Sequence, residues 1–132
     1  MTRTDAREFM MQVFFQMEAC SDFNIDHRDS YFKDKKISGQ KEYCENLYSL
    51  LCNHREDIDK TLENADEGWK LSRMPKTDLA VMRLAVCEIL YLSDIPAAVS
   101  INEAVNIAKK YGTEDSPKYV NAILGKIVSE RQ

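Results

Sequence analysis

Glycine and proline are scarce in this chain, four and three among 132 residues. That scarcity disfavours a turn-rich β architecture, in which hairpins and corners draw on both. No apolar run approaches the roughly 20 residues that a membrane span requires, and the N-terminal stretch has no apolar core of the secretory kind. Positive charge is not in excess either: 18 Lys and Arg stand against 22 Asp and Glu, a net charge of −4. A uniformly basic nucleic-acid-binding body is thereby excluded. Any RNA site must be a local patch on an acidic protein, with few phosphate contacts and a shallow salt dependence.

The four cysteines, Cys20, Cys44, Cys52 and Cys87, form no C-x-x-C pair, and His27 and His54 do not complete a zinc set. Free thiols in a reducing compartment are expected, with the cytoplasm as location. Catalytic signatures are missing as well: there is no Gly-rich phosphate loop, no G-x-S-x-G elbow and no H-E-x-x-H. Asp57-Ile58-Asp59 starts like a calcium loop, but Leu62 stands where the sharp turn needs Gly. A protein without enzymatic activity, cofactor or metal is the expectation.

What is present is helical period. Ala6, Phe9, Met10, Val13, Phe14 and Met17 make one apolar stripe of a first helix, for which Asp5 and Glu8 suggest the N-terminal cap. Arg3 (just before that cap), Arg7, Gln12 and Phe15 fall on the opposite face. Phe15 reads either as a widening of the core stripe or as an exposed stacking aromatic. From Ser21 to Gln40 the pattern is weak. A short helix around Arg28 to Lys35 is expected, and Lys33, Lys35 and Lys36 form either a solvated face or a basic patch.

Tyr43, Leu47, Leu50, Leu51, His54, Ile58 and Leu62 predict one long helix from about Gln40 to Asn64, with His54 at or near the apolar side. Gly68 would end it and Trp69 would anchor the connector. Thr77 to Leu92 follows, with Leu79, Met82, Val86, Ile89 and Leu90 inward. Its Arg83 is either salt-bridged to a carboxylate such as Asp78 or Glu88, or free for a phosphate or base.

The last third is the most legible. Ser100 to Glu103 has capping-box spacing, and Val105, Ile107, Ala108 and Tyr111 lead to Gly112, a candidate left-handed turn. Ser116-Pro117 restarts a helix, with Ser as cap and Pro in the first turn. Val120, Ile123, Leu124, Ile127 and Val128 mark its buried side. Lys109, Lys110, Tyr111, Asp115, Lys118, Tyr119 and Asn121 remain outside, at one corner. The whole predicts an all-α bundle of six or seven helices in one domain, 1–132. An N-terminal helical half (about 1–66) would pack on a C-terminal one (about 67–132).

The strings DIPAAVSINEAVNIAKKYG and EDSPKYVNAILGKI resemble the C-terminal motifs of the transcription antitermination factor NusB family. DAREFMMQVFF and DLAVMRLAVCEIL are similar to that family's first and middle helices. The resemblance implies an RNA-binding antitermination factor. It would bind boxA-type single-stranded RNA of ribosomal leaders with NusE, a small-subunit ribosomal protein, in an RNA polymerase complex containing other Nus factors. By motif position it implies RNA contacts at Arg3, Arg7, Phe15, Asp78, Arg83, Lys109, Tyr111, Asp115, Lys118 and Tyr119. The arginines and lysines would serve charge, the tyrosines stacking or base hydrogen bonds, and the two carboxylates base or ribose donors. The family is arginine-rich at its N-terminus; here one Arg precedes the expected cap, which implies weak RNA binding unless the partner assists. Some of the family form homodimers. Two other readings are a NusB-like module of a ribosomal RNA cytosine-5 methyltransferase, whose cofactor domain would need a longer reading frame, and a helical interaction domain without RNA.

Overall fold

The computed structural model describes residues 1–33, 37–67 and 70–131. Among them the chain is helical, without strands. We number the helices α1 (Arg3–Ala19), α2 (Arg28–Phe32), α3 (Lys41–Ala65), α4 (Lys76–Tyr91), α5 (Ala97–Tyr111) and α6 (Ser116–Glu130); two short 3-10 turns, Ile25–His27 and Leu71–Arg73, lie between them. None of the described helices is long and apolar enough to cross a membrane.

α4 is the axis of the bundle. Every residue from Asp78 to Glu88 is buried, so the helix is covered on all sides rather than along one stripe. α1, α3, α5 and α6 all pack on it, with Ala80 and Ala85 buried among the contacts. On α1 the expected stripe is buried and is widened by Met11.

The helix starts differ from their sequence signatures. The α1 cap is Thr2, three residues before the expected one: its Oγ1 accepts from Asp5 N at 3.0 Å, and the Asp5 carboxylate accepts from Thr2 N at 3.2 Å. Arg3 therefore sits in the first turn. α5 starts after Pro96, so Ser100 is a buried interior residue. Its hydroxyl donates to Glu88 at 2.7 Å; with the helix already under way at Ala97, no unpaired backbone N–H is left one turn on for the oxygen to cap. Gly112 is extended (φ −91°, ψ −165°) rather than left-handed. Asp115 occupies the cap position of α6, and the Ser116 hydroxyl instead accepts from Thr113 N at 2.9 Å, which closes the corner. Pro117 is in the first turn as its ring requires.

α3 spans the expected range but is kinked at His54 (φ −125°, ψ 18°), whose ring stacks on Tyr91 with centroids 4.4 Å apart. The short helix ends at Phe32, sooner than expected. Lys35, Lys36, Gly68 and Trp69 lie outside the described residues.

Candidate functional site

The C-terminal end of α5 lies against the middle of α1 beside the first turn of α4. There Met11, Gln12, Phe15, Thr77 and Tyr111 line a shallow groove of about 220 Å³. Its two aromatics are among the large hydrophobic side chains left in solvent: Phe15 is 41% exposed and Tyr111 38%. Both rings are thus presented to one groove, and Phe15 does not belong to the buried stripe of α1. Tyr111 is also held in place. Its hydroxyl donates to Glu8 Oε1 at 2.8 Å and accepts from Gln12 Nε2 at 3.4 Å.

A second groove, about 430 Å³, is also lined by the start of α4. Asp66, Arg73, Pro75, Asp78, Thr113, Asp115, Ser116 and Tyr119 line it. Thr77 of the first groove and Asp78 of this one are consecutive in the first turn of α4. Tyr119 is half-buried; burial raises its phenol pKa, and its hydrogen bond to Asp66 Oδ2 (2.9 Å) raises it further, so the hydroxyl stays a donor. Asp78 is buried, and its Oδ1 has no hydrogen-bond partner among the described residues. Burial pushes its pKa above the ordinary carboxylate value, against an opposing pull from the Ser116 hydroxyl.

The three expected arginines separate from this surface. Arg7, expected on the outer face of α1 as a charge contact, is 4% exposed. Its Nε and Nη2 bond both oxygens of Glu88 at 2.7 and 3.2 Å, and Nη1 approaches Glu103 at 3.4 Å. Arg83, 3% exposed, makes salt bridges, but not to Asp78 or Glu88. It grips Asp59 with Nε and Nη2 (2.8 and 2.9 Å) and Glu18 with Nη1 (2.7 Å). Both guanidiniums are turned inward because each meets two carboxylates from neighbouring helices, and a buried charge is tolerated only when so paired. Arg3 lies elsewhere, over the Tyr43 ring (4.2 Å) with Nε donating to Gln40 at 2.6 Å. It is twelve residues from Phe15 on α1, about 18 Å along the axis. Lys109, Lys118 and Asp115 are exposed. The structure thus brings together Phe15 with Tyr111, and Asp78 with Asp115 and Tyr119.

Sequence reading overlooked Met11, Thr77, Asp66, Arg73, Pro75 and Thr113 as lining. Only Met11 carried a signal, its four-residue spacing from Phe15 on the same helix side.

Residues 4–129 match the sequence model of the NusB family. The chain belongs to the NusB family. The transcription antitermination protein NusB of Thermoanaerobacter sp. (strain X514) is 42% identical over 130 residues, covering 98% of this chain and 92% of its own length. Among solved structures, NusB of T. maritima superposes with a TM-score of 0.88 at 33% identity, covering 98% of this chain and 92% of that one. A chain from a complex of antitermination factors NusB and NusE with double-stranded RNA gives 0.84 at 23% identity, over 97% and 96%; that likeness is one of fold. The bundle has the fold of the family. The curated relative is named as an antitermination protein, not as an enzyme.

Proposed function

We propose that this chain is an RNA-binding transcription antitermination factor. It takes boxA-type single-stranded RNA from ribosomal leader transcripts at the two grooves beside the start of α4, together with the ribosomal protein NusE, within an RNA polymerase antitermination complex. The carrying observation is the pair of exposed rings, Phe15 and Tyr111, lining one groove beside the α4 turn. Unstacked bases of single-stranded RNA stack on such rings. Lys109 and Lys118, exposed on α5 and α6, supply phosphate contacts at the rim. The second groove sets three aspartates against Arg73; Asp78 and Asp115 accept from base or ribose donors, and Tyr119 supports them. Arg7 and Arg83 act through the framework: one docks α1 on α4 and α5, the other ties α4 to α1 and α3.

Membership in the family supports this reading, and the fold likeness to a chain solved with NusE and double-stranded RNA is consistent with the partner and the RNA class, not with the strandedness. With net charge −4 the isolated chain binds RNA weakly and the ribosomal partner tightens it. The test is a titration of labelled boxA-type RNA with and without NusE. Equal affinity in both arms removes the partner from the reading, and binding unaffected by Phe15→Ala or Tyr111→Ala removes the groove.

A further inference from the structure

Lys110 lies next to Tyr111 at the end of α5, with its side chain 62% exposed. Its charge is nevertheless engaged: Nζ is 2.7 Å from Glu8 Oε1, the same oxygen that accepts from the Tyr111 hydroxyl at 2.8 Å. Glu8 itself is set into the seam between α1 and α5, its side chain 19% exposed. The Lys110 hydrogen bond holds the Glu8 carboxyl below its usual range despite some burial, and Tyr111 adds to this. One carboxylate oxygen therefore orients a groove aromatic and neutralises the cation beside it.

On the reading of this groove as an RNA site, we propose that Glu8 is a specificity-determining residue: it fixes the Tyr111 ring for stacking and withholds the Lys110 charge from the RNA backbone. A free ammonium at the rim would neutralise a phosphate of any strand and release its counterion regardless of sequence. Lys110 and Glu8 line the hollow next to the groove, with Tyr111 shared between the two; the paired ammonium must first leave both Glu8 and the Tyr111 ring, over which it lies 5.3 Å from the centroid, so little is gained. Stacking is left as the larger share of the binding; it accepts every base, but carries a modest sequence preference through stacking strength and strand flexibility, which the phosphate term lacks. The acidic second groove works in the same direction.

The test is a double-mutant cycle on the full chain, Glu8→Gln, Lys110→Met and the pair. It is read by anisotropy with a boxA-type RNA and a scrambled RNA of equal composition, between about 50 and 200 mM salt. Gln keeps an acceptor for Tyr111. Glu8→Gln tightens both RNAs about three- to fivefold, steepens the log–log salt slope by about 0.7 and narrows the preference for boxA. Lys110→Met changes wild-type binding less than about twofold, yet erases the gain in the Glu8→Gln background. The proposal is overturned if Glu8→Gln fails to tighten binding, if its gain survives loss of Lys110, or if Lys110→Met alone weakens binding severalfold. Wild-type protein that binds neither RNA, with or without NusE, removes the RNA reading itself and this inference with it; a binding wild type with an unresponsive cycle removes only the inference.

Discussion

Arg7 and Glu88 meet in the interior through two near-parallel hydrogen bonds, 2.7 and 3.2 Å long. Tyr43 and Ser100 donate to the same carboxylate, so four helices (α1, α3, α4 and α5) converge on one ion pair. Burial alone would lower the Arg7 pKa, but Glu88 outweighs it and the guanidinium stays charged. Removing one partner strands the other charge. Arg7→Met is expected to cost about 3–5 kcal/mol, seen as a lower denaturation midpoint in urea. A loss under about 1 kcal/mol would mean that the pair is not a structural hub.

Phe15 and Tyr111 are expected to matter for RNA and little for folding. Each ring is more than a third exposed, so alanine there should shift the melting temperature only slightly. RNA affinity should fall by about 1–3 kcal/mol per stacked base lost. Tyr111→Phe, which keeps the ring but loses the Glu8 and Gln12 contacts, should weaken binding less than Tyr111→Ala. Parallel titrations and thermal melts separate the two effects.

Asp78 makes stability depend on pH in a direction opposite to that of a salt-bridged carboxylate. Its pKa is raised in the folded protein from a reference of 3.8. The folded state therefore binds the proton more tightly than the unfolded one. Its contribution is fully favourable below the reference value and is lost as pH rises through the folded value. Asp78→Asn should then be more stable than wild type at neutral pH. That advantage should shrink as pH falls toward 4 and vanish below it. Urea midpoints of both proteins across this range give the answer; a gap that widens on acidification contradicts the burial argument.

Gly112 is needed for space. A Cβ there would lie 2.5 Å from Ser116 Oγ and 2.8 Å from the Ala108 carbonyl oxygen. The corner must move to admit it, at a cost of about 1–3 kcal/mol. Gly112→Ala should lower the melting temperature and, by displacing α6 from α5, weaken RNA binding. By contrast Gly125 has nothing within 4 Å of its Cβ position, and Gly125→Ala within α6 should stabilise by up to about 1 kcal/mol.

Element type and order were legible because the apolar periodicity of α1, α3, α4 and α6 is long and uninterrupted, and near-neighbour spacing is a property of the chain itself. Helix starts were less so. Ser100 and Glu103 have the spacing of a cap, and nothing local says that Pro96 has already begun the helix or that Glu88 will claim the hydroxyl. Arg83 was read with two alternatives, and the salt bridge is what forms, but to Glu18 and Asp59 rather than to carboxylates on its own helix. Partners 65 and 24 residues away in the chain leave no mark in a local window.

Alone, the sequence determined an acidic all-helical chain, the faces that go inward, the aromatics at positions 15, 111 and 119, and likeness to one family. Only the tertiary structure decided which cations are free to meet a ligand. Arg7 and Arg83 look on the page like any surface arginine, and Lys110 like any solvated lysine. Whether a charge is available depends on the carboxylates that other helices bring within about 3 Å, and that distance is set by how the helices pack, not by how the chain is ordered.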